Sequence, residues 1–310
     1  MINKYSFVEG KFIEGENIQK FNWIEITDPT EEDIQNITKA YNIPRDYLYD
    51  VNDPYEVPRV EGLEDSRPNL FILSYPIKTS DSIYHTRVVS AIVIDGVVIT
   101  VRNEDSPIFE EIKSDTFYKV NVEDNMENIV IELAWLISRQ FNDYLKDLDY
   151  RIRDIEYQIK NTTRTEFLHD MIEIQRSLIH FRTGIKENGN VIESIFDLDL
   201  DIDTKEESSL LHDLQIENKQ AQITVDKSVD MLENLSDLYS NVISNNLNTV
   251  VKGLTSITIV LTVPTIIGGL WGMNTKLPIE DHPFAFWYLL GFTILVSLII
   301  IYILKKKDYL

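Results

Sequence analysis

Two long stretches without a charged residue, both in the C-terminal part of the chain, constrain its structure more than any other feature. Residues 253–275 and 283–304 contain no Asp, Glu, Lys or Arg and are rich in Leu, Ile and Val. An α-helix needs about 20 apolar residues to cross a hydrocarbon core about 30 Å thick. Each stretch is long enough, so the sequence predicts two membrane-spanning helices.

Lysines flank these two stretches unevenly. Three lysines at 305–307 follow the second stretch and Lys252 precedes the first, whereas the segment between them holds only Lys276, balanced by two acids. The positive-inside rule places lysine-rich flanks in the cytoplasm. We therefore predict a multi-pass protein of the cell (inner) membrane, with both termini cytoplasmic, a short outer loop, and residues 1–245 forming a cytoplasmic body.

The negative charge of the chain is concentrated in this body. The 310-residue chain has a net charge of −22, and residues 1–245, with 24 basic and 48 acidic residues, carry −24. Such a surface repels phosphate backbones and attracts cations, which argues against nucleic-acid binding. The sequence has no cysteine and none of the phosphate-loop, nucleophile-elbow or His-Glu-x-x-His motifs. We therefore expect a protein that is not an enzyme.

The N-terminal part of the body carries signals for short strands and helices. Residues 21–26 alternate in polarity, and Asp95-Gly96 separates two β-branched runs, which is typical of a hairpin. Asp28-Pro29-Thr30, followed by three acids, is typical of a helix N-terminus. Together these signals predict an α/β domain.

Longer helical patterns follow. One series of apolar residues recurs at spacings of three and four, as in packed helices; it consists of Leu145, Leu148, Ile152, Ile155 and Ile159. A second series predicts a helix that continues into the first span without a break; it consists of Val225, Val229, Leu232, Ser236, Tyr239 and Ile243. Between them, acids alternate with aliphatic residues over 197–203, which suits either a solvated turn or, in an assembly, a ring that attracts cations.

A tripeptide at the end of the first stretch gives the clearest functional signal. Gly272-Met273-Asn274 follows Trp271, and taken alone its Gly and Asn merely suit a helix C-terminus. With two C-terminal spans and a lysine tail, however, it closely resembles the CorA family of magnesium/cobalt (divalent metal ion) transporters. The resemblance covers essentially the whole chain and includes three further segments: Trp23-Ile-Glu-Ile-Thr-Asp-Pro-Thr-Glu-Glu, Pro58-Arg59-Val60-Glu61 and Leu277-Pro278-Ile279-Glu280.

This resemblance implies an α+β membrane protein that assembles as a funnel-shaped homopentamer. The expected parts are a cytoplasmic α/β domain (1–122), long coiled helices and a stalk (123–252), a first transmembrane helix that lines the pore (253–274), an outer loop (275–283), a second transmembrane helix (284–304) and a basic cytoplasmic tail (305–310). The expected partners are further copies of the chain, divalent cations and the lipid bilayer.

The resemblance also implies roles for individual residues. The expected sites are a selectivity filter of Gly272, Met273 and Asn274, pore-lining Thr265, Thr262 and Asn248, a hydrophobic gate of Leu254 and Val251, and a regulatory metal ligand, Asp237. The acidic partner of Asp237 in a neighbouring α/β domain is not identified by the sequence; the candidates are Glu104, Asp105, Glu110 and Glu111. Glu280 and Asp281 either concentrate cations at the outer mouth or are simply solvated. The two threonine hydroxyls either face the pore or bond to their own backbone.

The function that follows is uptake of a divalent metal cation, chiefly Mg²⁺ and also Co²⁺ or Ni²⁺, driven by voltage and gated by cytoplasmic Mg²⁺. A zinc transporter of the same family, coupled to protons, is one alternative because a zinc-transporting branch shares the tripeptide. A membrane-anchored coiled-coil scaffold or cation sensor is an alternative of another class. The scaffold accounts for the helical spacing and the acids but not for Gly272-Met273-Asn274 or the threonines.

Overall fold

The computed structural model describes residues 1–8, 11–15, 21–63, 68–79, 83–114, 127–159, 166–197, 205–273, 282–307 and 309. The chain divides into two compact units, Met1–Leu235 and Ser236–Leu310. The first unit holds a seven-stranded sheet with helices, and the second holds two long apolar helical segments.

The sheet of the first unit is mixed. Its strands are β1 (Ile2–Val8), β2 (Lys11–Glu14), β3 (Trp23–Thr27), β4 (Arg59–Glu61), β5 (Asn69–Lys78), β6 (Tyr84–Ile94) and β7 (Val97–Arg102). Their order is β2-β1-β3-β7-β6-β5-β4. Only β3 and β7 pair in parallel among the described strands. The predicted hairpin is confirmed: Asp95 and Gly96 both have positive φ, 48° and 75°, as its tight two-residue turn requires.

The first unit also contains helices, several of which pack on the sheet. They are α1 (Glu31–Tyr41), α2 (Arg45–Tyr49), α3 (Pro107–Glu111), α4 (Glu127–Ile159), α5 (Glu166–Asp197) and the first part of α6 (Lys205–Trp271). Helices α1 and α2 share one apolar core with strand residues such as Ile24, Ile72 and Ile99. Helices α4 and α5 pack on β5. The result is an α/β domain with a covered sheet.

The predicted start of α1 is confirmed. Thr30 is the N-cap; its Oγ1 accepts a hydrogen bond from the backbone N of Asp33 at 3.2 Å, and Asp33 Oδ2 accepts one from the backbone N of Thr30 at 3.0 Å. The backbone N of Thr30, and then its hydroxyl at 2.8 Å, both donate to the Asp33 carboxylate and lower its pKa, because they stabilise the charged form. The two reciprocal bonds satisfy N–H groups that the helix itself leaves unpaired.

The strand predicted at residues 21–26 is confirmed as β3, although both faces of this strand are buried. The polarity of these residues alternates, which is typical of a strand with one solvated face, but Trp23, Ile24, Glu25 and Ile26 are all buried. The reason is that β3 lies inside the sheet, parallel to β7, with cores on both of its faces. Glu25 is therefore an interior acid rather than a surface one.

The first predicted helical series is confirmed, since Leu145, Leu148, Ile152, Ile155 and Ile159 are all buried on α4. The second is only partly right, because Ser236 is exposed. Over residues 221–239 the buried positions of α6 are Ala221, Val225, Ser228, Leu232, Leu235 and Tyr239. The predicted series did not include the small residues Ala221 and Ser228, which also lie on the buried face of α6. Most of the acidic segment 197–203 lies outside the described residues.

The second unit contains the rest of α6 and α7 (Ala285–Lys306). Helix α6 runs unbroken to Trp271, as predicted, and carries Pro264 in its interior. Both helices are long and apolar enough to cross a membrane, and almost nothing of the most apolar stretch of each is buried within the chain. The chain therefore has an N-terminal α/β domain, a long helix and two C-terminal apolar helices.

Candidate functional site

The predicted filter begins where α6 ends. The backbone N of Gly272 donates to the carbonyl of Gly268 at 3.0 Å, and that of Met273 donates to the carbonyl of Leu270 at 3.4 Å. These bonds continue the last turn of the helix beyond Trp271. Met273 has a largely exposed side chain. The helical turn thus carries the first two residues of the tripeptide at the very end of the apolar segment.

Three of the predicted site residues, Asn274, Glu280 and Asp281, lie outside the described residues. Their roles at the filter and in the outer loop therefore stay predictions from the sequence. What the structure does place is the helix end that precedes them.

Threonine hydroxyls on α6 bond to the backbone one turn earlier. Thr262 Oγ1 donates to the carbonyl of Thr258 at 2.7 Å, Thr265 Oγ1 donates to that of Leu261 at 3.0 Å, and Thr258 Oγ1 donates to that of Leu254 at 2.9 Å. Backbone bonding, one of the two readings of these residues, is therefore present. It does not exclude the other, because a hydroxyl that donates its proton still offers lone pairs as an acceptor.

These threonines lie on one face of the helix. Spacings of four and three residues place Thr258, Thr262 and Thr265 above one another, and all three are exposed in the single chain. Thr258 was missed by the sequence reasoning, although its spacing from Thr262 could have identified it. The face presents a row of acceptor oxygens on a helix segment without charged residues.

Large apolar side chains are exposed near the start of the same apolar segment. Val251 and Leu254 are 59% and 65% exposed, and Asn248 is also exposed. Each is three residues from the next, so successive side chains are rotated by only about 60° around the helix. The three predicted residues therefore share one side of α6, with the amide preceding the two apolar residues.

Asp237 is exposed on α6. Each of its four candidate partners already forms an ion pair at 2.6–2.9 Å within the α/β domain; the pairs are Glu104 with Arg87, Asp105 with Arg102, Glu110 with Lys113 and Glu111 with Arg139. Among the residues that the structure describes, no three His, Asp or Glu side chains lie close enough together to hold a metal ion. A metal bound by Asp237 would need ligands from outside this set.

Glu104 is the most constrained of the four acids. Its carboxylate lies 2.6 Å from Arg87 Nε and 3.4 Å from His85 Nε2, and its carbonyl accepts a hydrogen bond from the Tyr75 hydroxyl at 2.7 Å. Burial, followed by the charge of Arg87, lowers the pKa of His85. Burial also raises the pKa of Tyr75 above its ordinary value. Glu104 is thus held mainly by its own domain.

The chain is similar to transport proteins along most of its length. The model of the family described as CorA-like Mg²⁺ transporter protein matches residues 18–306. A cobalt/magnesium transport protein of Methanocaldococcus jannaschii is 21% identical over 93% of this chain and 91% of its own, and one of Thermotoga maritima is 24% identical over 93% and 83%. The complete structure of the magnesium transporter from M. jannaschii superimposes with a TM-score of 0.83 at 20% identity, covering 100% of this chain and 99% of that one.

Proposed function

Because this chain belongs to the family of CorA-like Mg²⁺ transporter proteins, we propose that it carries divalent cations across a membrane, with Mg²⁺ as its main substrate. The relatives from M. jannaschii and T. maritima are named for cobalt as well as magnesium, which supports Co²⁺ as a second substrate. We include Ni²⁺ in the proposal as a further substrate. The observation that carries the proposal is the row of acceptor oxygens at Thr258, Thr262 and Thr265.

The acceptor row suits a hydrated ion. Mg²⁺ gives up its waters reluctantly, and those waters present protons outward. Oxygens such as those of Thr262 and Thr265, whose own protons are bound to the backbone, can only accept from them. The amide oxygen of Asn274 would supply the same chemistry at the outer mouth. Neutral oxygens bind the hydrated ion weakly enough to release it.

A single helix cannot enclose a water-filled path, so we place several copies of α6 around one axis, as a homopentamer. Such an arrangement would cover the exposed Val251 and Leu254 and bring the threonine faces together. The chain is a membrane protein, and its lysine distribution supports cytoplasmic termini in the cell (inner) membrane.

The gate in this proposal is the apolar ring formed by Val251 and Leu254. Apolar side chains that converge on a narrow pore expel water and block ions without closing it sterically. Asn248 lies one turn earlier and would keep the cytoplasmic side of this ring wet.

Regulation follows from charge. Several cytoplasmic bodies, each with a net charge of −24, repel one another unless cations lie between them. Mg²⁺ bound at Asp237 and an acid of the neighbouring subunit would hold the assembly closed, and its loss at low cytoplasmic Mg²⁺ would open it. Glu280 and Asp281 would concentrate cations at the outer side.

The membrane potential is a sufficient driving force. Moving a divalent cation through an inside-negative potential gains about 4.6 kcal/mol per 100 mV. This corresponds to a concentration ratio of roughly 2,000. A passive pore therefore suffices for uptake.

The test is Mg²⁺ entry into proteoliposomes that hold a Mg²⁺-sensitive dye, under an inside-negative potassium diffusion potential. We expect Asn274→Ala to abolish entry and Asn246→Ala, an exposed amide elsewhere on α6, to leave it unchanged. Parallel vesicles receive Zn²⁺ with and without a pH gradient. Zn²⁺ entry that follows the pH gradient, with little Mg²⁺ entry, would favour the zinc transporter; no entry of any ion would favour the scaffold.

A further inference from the structure

The C-terminal residues bind the start of the apolar segment of α6. The fully buried Ser256 hydroxyl lies 2.9 Å from the carbonyl oxygen of Tyr309 and 2.8 Å from that of Lys252, and its one proton is shared between these two acceptors. The backbone N of Tyr309 donates to the carbonyl of Leu304 at 3.1 Å, and Lys252 Nζ lies 5.7 Å from the centre of the Tyr309 ring. Tyr309 therefore joins the end of α7 to one turn of α6.

This contact gathers four lysines. Lysines 305–307 lie between Leu304 and Tyr309, which are bonded to each other, and Lys252 lies over the Tyr309 ring. All four lysines are exposed. Within the described part of the chain, none of them forms an ion pair with a carboxylate. The sequence has no acid from residue 238 to residue 279, and Asp308, which follows the three lysines, lies outside the described residues.

We propose that these lysines and Tyr309 form a binding site for the phosphate of an anionic phospholipid, which we call the lysine–tyrosine site (Lys252, lysines 305–307 and Tyr309). The site lies where the apolar segment of α6 begins and α7 ends, the depth at which headgroups begin. Clusters of basic residues beside a span attract anionic headgroups, and tyrosine favours the interface. The exposed Tyr302 on α7 adds a second ring at this level.

The charge distribution of the chain favours anion binding at the lysine–tyrosine site over the cytoplasmic body. The body, with its net charge of −24, repels anions, whereas this cluster of four lysines attracts an anionic lipid locally. The ring and backbone contacts of Tyr309 hold α7 and α6 together, so that one headgroup can meet lysines of both helices. The proposal rests on the membrane placement of these helices and not on which ion is carried.

The test is native mass spectrometry of the purified full-length protein in detergent, titrated with phosphatidylglycerol or with phosphatidylcholine of the same acyl chains. We expect a preference for phosphatidylglycerol. Each lysine near a membrane surface contributes roughly a fivefold change in affinity. Lys252→Gln should therefore weaken phosphatidylglycerol binding by about that factor. Replacing lysines 305–307 by glutamine as well should remove the preference for this lipid. Lys227→Gln, the control, should leave the binding of both lipids unchanged.

Two further arms test geometry and ligand class. Ser256→Ala keeps every charge but removes the hydrogen bond that holds Tyr309 to α6. It should weaken phosphatidylglycerol binding severalfold. Unchanged binding would show that the Ser256–Tyr309 contact does not form the site. In wild-type protein, higher salt should weaken phosphatidylglycerol binding and leave phosphatidylcholine binding unchanged, which tests the site even if a variant misfolds. Equal binding of the two lipids, or full displacement by an equal concentration of inorganic phosphate, would overturn the proposal. Because lipid binding is measured without ion flux, its failure is separate from failure of transport.

Discussion

Arg102 binds Glu25 in the interior of the α/β domain, with Nη1 2.5 Å from Oε1 and the two side chains only 5% and 2% exposed. Lys113 Nζ lies 3.1 Å from the other carboxylate oxygen. The guanidinium of Arg102 also covers the Phe109 ring at 3.9 Å. One buried acid thus ties β3 to β7 and to the segment around α3.

Removing the arginine should destabilise the domain strongly. Arg102→Met removes the ion-pair partner of Glu25 Oε1 and leaves Lys113 as its remaining cation, so the cost approaches the roughly 3–5 kcal/mol of a broken buried pair from below. The measurement is thermal unfolding of the full chain in detergent. The exposed Arg45–Glu31 pair provides the control, since Arg45→Met should change stability by less than about 1 kcal/mol. Equal effects of the two changes would show that burial of the pair has no energetic role.

The stability of the domain should fall on acidification partly through His85. Burial and Arg87 lower its pKa below the ordinary 6.5, so the unfolded chain takes up a proton at higher pH than the folded one. Its contribution is present above pH 6.5 and is lost as the pH falls through the folded pKa. His85→Gln should therefore lose less Tm than wild type between about pH 7 and pH 5. His169→Gln, at an exposed position, should keep the wild-type slope; an unchanged slope for His85→Gln would contradict the assignment.

Mg²⁺ uptake should require the threonine oxygens of α6 as hydrogen-bond acceptors for the hydrated ion. Thr262→Val and Thr265→Val keep the side-chain shape but remove the oxygen, and each should lower Mg²⁺ uptake about tenfold, the effect of losing one hydrogen bond of ordinary strength. Thr262→Ser and Thr265→Ser keep the oxygen and should retain most of the uptake. Valine variants with full uptake would show that these hydroxyls serve only the backbone.

A polar residue in the gate should make the pore leak. Leu254→Asn should wet the apolar ring and allow Mg²⁺ entry even when internal Mg²⁺ is high. Ile259→Asn makes the same change on a face rotated by about 140° from Leu254 and should not leak. The measurement is dye-reported uptake at low and high internal Mg²⁺. If both variants leak alike, position on this face is irrelevant.

Inhibition of uptake by internal Mg²⁺ should depend on Asp237. Asp237→Asn removes one metal ligand, so inhibition by internal Mg²⁺ should shift to higher concentration, whereas Asp230→Asn, exposed on α6 seven residues earlier, should behave as wild type. Uptake measured across a series of internal Mg²⁺ concentrations gives both curves. Identical curves for Asp237→Asn and wild type would remove Asp237 from the mechanism.

Local patterns in the sequence predicted much of the fold. The Asp95-Gly96 hairpin, the Thr30 cap and the buried series on α4 depend on neighbouring residues, and all three are confirmed. The interior position of Glu25 was not predictable from its alternating neighbours. It depends on the parallel pairing with β7, whose residues are about 75 positions away, and on the burial of both faces of the strand.

The candidate site was predictable in part. Spacing on one helix identifies the threonine face, and the same rule would have added Thr258. The Ser256–Tyr309 contact joins residues 53 positions apart and depends on how α7 packs, which no local pattern encodes. The filter residue Asn274 remains a prediction from the tripeptide.

The most direct test of the transport proposal is the reversal potential of the purified protein in a planar bilayer, with Mg²⁺ as the only permeant cation. For passive passage of a divalent ion, a tenfold Mg²⁺ gradient should shift the reversal potential by about 30 mV, since about 4.6 kcal/mol per 100 mV opposes about 1.4 kcal/mol. The shift should be the same at equal and unequal pH. A reversal potential set by the pH gradient, or no Mg²⁺ current at all, would contradict a voltage-driven Mg²⁺ pore.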